Sequence, residues 1–491
     1  MEFPSFLGPS NVAQAPNLDQ QRLMNWYLER AESPGATARW SCNPTPGVEL
    51  IATDQGSPGR AHIFDPQTQR EFAVQGTRFN EIAENGAITN RGTVAIDANP
   101  ATISLNTVGE LLITSGRNAY TFILSTNTFA AVAALAGLAT MGDTLDGYGL
   151  VLDDATSTVR ISDLLDFTTW DPTQFIQRSK APDPLRAIRA ANGYLYLMGA
   201  QTGEAWYNAG ESPIPFVFHP SGLMPYGIAA PFSAEIVGAA LVWVAATANG
   251  QGVVVRTPGL AVEIVSTIAL ANALNGYSSL DDGIGDSYED RGHTFYLLSL
   301  GTANATWVHD AALPASVAWH ERGTWIAEMS RFDAWRSAFH AFAFGEHRML
   351  DRTSGAVYRM GPSFGVDAGD RPIRRVRRSP ALVSENRLLY YPAFELDLES
   401  GLGATGTGQG SNPQVMLRMS NDNGKTWGSE VLRSAGKLGE YETRVRWLRC
   451  GAARRRVFEV SVTDPIPWRL TNAYLPGFER ANPGIGSGRA A

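Results

Sequence analysis

At 491 residues the chain is longer than one hydrophobic core usually organises, so two or three domains or one large repeat architecture are expected. With 44% apolar and 18% charged residues it lies outside the disordered class. Its two cysteines, Cys42 and Cys450, are more than 400 positions apart, which excludes a disulfide framework or a CxxC-type metal site and fits a reducing compartment.

The net charge of -8 conceals an asymmetry: residues 1–370 hold 21 basic and 37 acidic side chains, whereas residues 371–491 hold 19 and 11. Only Lys180, Lys425 and Lys437 are lysines; the other 37 basic residues are arginines, a skew that a GC-rich genome explains without any physical need. No basic stretch followed by an apolar core opens the chain, which argues against a secretory signal. The longest apolar run, residues 129–141, is 13 residues. A membrane span needs about 20, so a soluble chain is expected with this run as a buried element, and a membrane-touching loop is the rarer alternative.

In chain order, residues 1–45 read as an N-terminal arm broken by Pro4, Pro9 and Pro16. Asn17 and Gln20 have capping-box spacing, yet Met24, Trp26 and Leu28 alternate with Asn25, Tyr27 and Glu29, which favours a strand there. Residues 46–365 repeat one pattern of apolar strand, polar turn and second strand. Seven such hairpins begin at Ala61, Ala119, Val159, Glu204, Val253, Thr306 and Ala356, 40 to 58 residues apart, close to the period of propeller blades. The expected fold is therefore all-β, a β-propeller of six or seven blades; a β-sandwich with inserted hairpins is the competing architecture. Helices are minor, residues 260–274 being the best candidate. Residues 366–478 read as a C-terminal β-sandwich-like domain that opens on a dense arginine run and contains a glycine-rich loop at 400–411, and residues 479–491 as a flexible tail.

The sharpest local motif is Ser420-Asn421-Asp422-Asn423-Gly424-Lys425-Thr426-Trp427, which satisfies the Asp-box pattern S-x-D-x-G-x-T-W. Asp422 can bond its own backbone, Gly424 can take positive φ, and Trp427 can pack beneath the turn, so Ser420, Asp422, Gly424, Thr426 and Trp427 are read as a self-stabilised hairpin. The motif resembles the boxes of sialidases, which repeat in several blades; here it occurs once, outside the expected blades. Asp281, Asp282 and Asp286 lack the alternating ligands of a calcium loop and read as a solvated turn. The seven histidines show no HxxxH or HxH pair, with packing the default for His309 and His320. No GxSxG, Walker A or GxGxxG motif is present, so neither catalysis nor a cofactor is expected. Arg371, Arg374, Arg375, Arg377, Arg378, Arg454, Arg455 and Arg456 are candidate contacts to other subunits or to DNA, with bridging between oppositely charged surfaces favoured over nucleic-acid affinity.

Several segments, in order, resemble the tail nozzle proteins of short-tailed bacteriophages, the packaged-DNA stabilisation family: QRLMNWYLE at 21–29 with PTPG at 44–47, ISDL at 161–164 running to WDP at 170–172, YGIAAPF at 226–232, GHTFY at 292–296, and WHER at 319–322. Residues 311–317 depart from the pattern by lengthening the turn before Trp319. The resemblance implies a virion tail component assembled in the host cytoplasm. It would be a homo-hexameric ring below the head-to-tail adaptor, beside tail fibre or tailspike proteins, passing double-stranded DNA through its lumen without sequence specificity. It implies no catalytic residues. The loops at 400–411 and 129–141 are candidate gate elements. A sialidase-like glycoside hydrolase and a receptor-binding propeller at the tail tip are the other readings.

Overall fold

A computed structural model describes residues 1–477 except Pro4, Pro16, Gly56, Ser179 and Gln251. The expected flexible tail at 479–491 lies outside the described residues. The chain divides into two compact units, one formed by Pro46–Arg371 and the other by Met1–Thr45 together with the segment from Pro372 onward.

Pro46–Arg371 is a closed ring of seven antiparallel blades of four strands each, blade 6 carrying Arg331–Ala334 as a fifth strand beside Trp319–Ile326. Blade 1 runs from Gly59–Asp65 through Arg70–Gln75 and Arg78–Ile82 to Ile88–Thr93. Blades 2 to 6 follow in chain order, with innermost strands Thr102–Leu105, Met141–Leu145, Leu185–Ala191, Glu235–Val237 and Gly283–Asp290. Blade 7 takes three strands, Ser337–Ala343, Glu346–Asp351 and Ala356–Gly361, from the end of the unit, and its outer strand, Gly47–Thr53, from the beginning. In that closing pair Met360 lies opposite Val48 and Arg359 opposite Glu49. Each of the seven hairpins read from the sequence falls in a different blade, which settles the count at seven.

Strand order follows from burial. A blade is covered on both faces by its neighbours, so its middle strands are continuous apolar runs, such as Leu195–Met198 in blade 4 and Leu241–Ala245 in blade 5, all of them buried. Between blades 1 and 2 the packing is aromatic. Phe72 and Phe79 stack with centroids 5.6 Å apart, and Phe122 meets them at 5.4 and 5.3 Å. The apolar run at 129–141 connects blades 2 and 3. Phe129 stacks on Tyr120, while Val132, Leu135 and Ala139 are buried against Val151 and Phe167, so the run is a packed connector. One helix, Ile268–Gly276, is capped by Thr267, whose hydroxyl accepts from the Leu270 amide at 3.2 Å.

The other unit is a sandwich. One sheet orders Trp26–Arg30, Trp40–Pro44, Leu470–Tyr474, Ala393–Leu398 and Val445–Leu448; the second pairs Gln20–Met24, Arg375–Arg378, Arg455–Val462, Gln414–Ser420 and Val431–Ser434 in succession. Phe394 of the first sheet stacks on Phe458 of the second at 4.7 Å, and Phe3 and Phe6 fill the space around them. Residues 1–45 are thus not an arm: they supply Asn11–Val12 and Gln20–Met24 to the second sheet, two strands to the first, and the buried rings of Phe3, Phe6, Trp26 and Tyr27. The capping-box spacing at Asn17 does not start a helix. Asn25, at φ 57°, separates the strands Gln20–Met24 and Trp26–Arg30. The propeller is therefore inserted between the two halves of a sandwich.

Gly47 begins the closing strand where a Cβ would lie 2.3 Å from the Phe364 carbonyl oxygen and 2.6 Å from that of Val366, both backbone atoms. Gly47→Val is expected to lower stability by about 1–3 kcal/mol, the usual range for overpacking, read as a lower denaturant midpoint.

Candidate functional site

The innermost strands of all seven blades surround a cavity of about 200 Å3 on the ring axis. That is room for a few waters, each occupying about 30 Å3 in the liquid. A polar collar lines it. Arg189 of blade 4 donates to Glu235 of blade 5 at 3.1 Å and lies 3.5 Å from Asp143 of blade 3. Asp286 of blade 6 accepts from the His340 amide of blade 7 through both oxygens, at 3.1 and 3.0 Å, and from the Ser287 amide at 2.9 Å. Burial and the neighbouring Glu235 carboxylate push the Asp286 carboxyl up to about 7. Burial, with His347 and His62 nearby, drives His340 down to about 3.

Blades 7 and 1 are joined by a second set of buried charges. The His62 ring nitrogens face the Phe339 carbonyl at 2.8 Å and Glu71 at 2.7 Å, and the other Glu71 oxygen accepts from Arg348 at 2.6 Å. Arg348 also donates to the Glu84 carbonyl at 2.6 Å. Both Glu71 and Arg348 are buried. Neither they nor Arg189 and Glu235 stand out in the sequence, because partners 46 to 277 positions apart carry no local spacing signal. Asp286 belongs to the acidic cluster read as a solvated turn. Only part of that reading holds: Asp281 is exposed and paired with Arg186, whereas Asp286 turns inward to the axis.

The arginine run has a different use from the one expected. Arg375, Arg377 and Arg456 are buried, and so are not surface contacts. Arg377 donates through Nε to the Phe6 carbonyl at 2.5 Å and to Gln21 at 2.6 Å, with the Pro9 and Arg22 carbonyls at 3.3 and 3.4 Å. Arg375 reaches the Thr45 carbonyl at 3.4 Å. Arg456 donates to the Cys450 carbonyl and lies over the Tyr391 ring at 4.7 Å. Arg374 donates to Ser461 at 3.0 Å and pairs with Glu430; Arg378 bonds Glu459 at 2.7 Å and covers Trp427 at 4.8 Å. These five guanidiniums tie down backbone carbonyls, carboxylates and rings of the sandwich. Arg371, Arg454 and Arg455 keep exposed surface, with Arg371 3.7 Å from Glu328 and Arg454 donating to the Asn386 carbonyl at 2.7 Å. The cause is the fork of donors that only arginine offers: it lets Arg377 reach the Phe6, Pro9 and Arg22 carbonyls and Gln21 at once. The arginine skew thus has a physical use here.

The Asp-box residues form the expected turn. Asp422 accepts from the amides of Lys425 and Thr426 at 3.0 and 2.9 Å and from the Thr426 hydroxyl at 2.6 Å, which holds its carboxyl well below the usual range. The Gly424 amide donates to the Ser420 hydroxyl at 2.8 Å, Gly424 has φ 82°, and the Trp427 indole donates to the Gly424 carbonyl at 3.0 Å. The box follows the strand Gln414–Ser420, in the sandwich and not in a blade.

Comparison with protein families matches residues 21–364 to the bacteriophage P22 Gp10 β-propeller and residues 374–476 to the bacteriophage P22 Gp10 β-sandwich. The chain belongs to the bacteriophage P22 Gp10 family. This is the tail nozzle family to which the ordered sequence segments point, and its propeller and sandwich are the two folds described above. No curated protein matches the chain in sequence. Among solved structures the chain is similar to the N-terminal domain of Nup159 (9% identity, TM-score 0.42, covering 69% of this chain and 98% of that one) and to virginiamycin B lyase from Staphylococcus aureus (10% identity, TM-score 0.44, covering 64% and 99%). Likenesses this distant carry nothing about activity.

The raised Asp286 carboxyl means that the folded chain holds a proton that the unfolded chain has already released, so its contribution lowers stability as pH rises from about 4 to about 7. Asp286→Asn is expected to flatten that slope and to raise the denaturation midpoint at pH 8 relative to the parent. Arg377→Lys strands buried carbonyls and is expected to cost about 1–3 kcal/mol for each group left unpaired, whereas Arg454→Gln stays within about 0.5 kcal/mol, both by chemical denaturation.

Proposed function

We propose that the chain acts by assembly and not by catalysis, as the nozzle of a short-tailed phage. Six copies form a ring that closes the channel over packaged DNA and becomes the conduit during ejection. The observation that carries this reading is the family match, which covers both units in their order along the chain.

The axial cavity supports a specific placement of the DNA path. A duplex whose major groove alone is about 12 Å wide cannot use a cavity of about 200 Å3 lined by paired charges, so the lumen runs between copies and not through a propeller. Charge fits this role. The unit Pro46–Arg371 holds 19 basic and 33 acidic residues, for a net -14, and such a surface lets a polyanion slide without the counterion release that would hold it. The head-to-tail adaptor, fibre or tailspike proteins and the passing DNA are the proposed partners, and the host cytoplasm is the proposed place of assembly.

Native mass spectrometry and negative-stain imaging of the purified chain, alone and with the adaptor, test this directly. Six-fold rings are expected in at least the second sample; a monomer at every concentration in both would contradict the proposal.

A further inference from the structure

A cleft of about 560 Å3 opens at the start of the innermost strands of blades 1 and 7, with blade 6 beside them. Pro58, Ile96, Pro100, Ile284, Ile326 and Phe339 supply its apolar lining. Its polar side chains are engaged with one another or with nearby backbone. Arg60 pairs with Asp97 at 3.2 Å and Arg336 with Asp351 at 2.5 Å; Asp282 accepts from the Thr302 amide, Asp333 from Asn304, and Thr324 donates to Asp367.

Arg352 is the exception. It follows the second strand of blade 7 and lines the cleft, and its side chain makes no hydrogen bond or ion pair among the described residues. Its Nε is buried without an acceptor. Burial lowers its pKa, opposed by Asp282 and Asp351, neither of which lies within ion-pair distance. The two Nη groups keep accessible surface with no internal acceptor, and a planar oxyanion can take two parallel bonds from them.

We propose that this cleft binds a peptide segment of a protein partner, seating an Asp or Glu carboxylate on Arg352 and a neighbouring apolar side chain on the Ile96, Ile284 and Phe339 wall. Charge complementarity selects this occupant. The guanidinium without an ion pair matches one carboxylate, while the other arginines of the lining, Arg60 and Arg336, are already paired, so no cluster of free positive charge is offered to a run of phosphates. The volume suits one or two side chains and not a nucleic-acid backbone. An apolar wall with one convergent charged group is the ordinary make-up of a specific pocket.

The test is calorimetric titration of the full chain with Ac-Leu-Glu-Leu-NH2 and, separately, Ac-Leu-Gln-Leu-NH2. A charge-assisted pair predicts roughly tenfold tighter binding of the Glu peptide. Arg352→Gln is expected to abolish that preference and Arg352→Lys to keep part of it, with the thermal midpoint of neither variant lowered, because no internal bond is lost. Equal binding of the two peptides, or a preference that survives Arg352→Gln, overturns the proposal. So does a drop in midpoint in both variants, which would make the guanidinium structural. Inorganic phosphate and a short DNA duplex are the remaining arms. Phosphate that competes with the Glu peptide fits the oxyanion fork, whereas binding of phosphate or duplex through Arg352 without binding of the Glu peptide contradicts the peptide reading.

Discussion

The pairing of Gly47–Thr53 with Ala356–Gly361 is the constraint on which the rest of the structure depends. A blade buries its two faces only against its neighbours, so an open row of seven would leave two apolar faces exposed to water. Completing the last blade with the first strand removes both ends at once. It also requires the chain to enter and leave the ring at the same blade. The sandwich is correspondingly assembled from the two flanks of the insertion, and neither flank forms a complete sheet without the other. Arg377, which gathers the carbonyls of Phe6, Pro9 and Arg22, is the fastening that this topology needs.

Buried charge recurs at the joints of the ring. The Glu71–Arg348 pair and the His62 ring connect blade 1 to blade 7, where the first and last parts of the unit must meet in register. Apolar packing is tolerant of small shifts, but a buried carboxylate displaced from its guanidinium loses several kcal/mol, of order 3–5. Such pairs add little net stability over well-packed apolar residues and instead penalise misregistered closure. Half-exposed pairs at the axis, Arg189 with Glu235 and Asp286 with the His340 amide, link blades 4 to 5 and 6 to 7.

Much of the fold was legible because it is periodic. Strands such as Val253–Val255 and Ala356–Tyr358 announce themselves by β-branched and aromatic content between turn residues, and every hairpin so marked occupies its own blade. The Asp box was equally legible, since all its bonds lie within eight residues. What escaped was non-local. Pro4, Pro9 and Pro16 suggested an arm, because the partners that Phe6, Gln20–Met24 and Asn25 find in the second half of the sandwich lie more than 300 positions away. The arginine run suggested an outer surface, because the carbonyls that Arg375 and Arg377 bond lie more than 300 positions away and the carboxylates that Arg374 and Arg378 bond lie more than 50 away. Arg352 gave no signal at all, since a missing partner is visible only once every neighbour has been placed.

Hydrogen exchange of the native chain tests the closure most directly. The amides of Gly47–Thr53 that bond Ala356–Gly361 are expected to exchange as slowly as those in the middle strands of the blades and to open together with Ala356–Gly361 in one cooperative unit. Rapid exchange of Gly47–Thr53 while Glu346–Asp351 and Ala356–Gly361 stay protected would show an open ring and contradict the account.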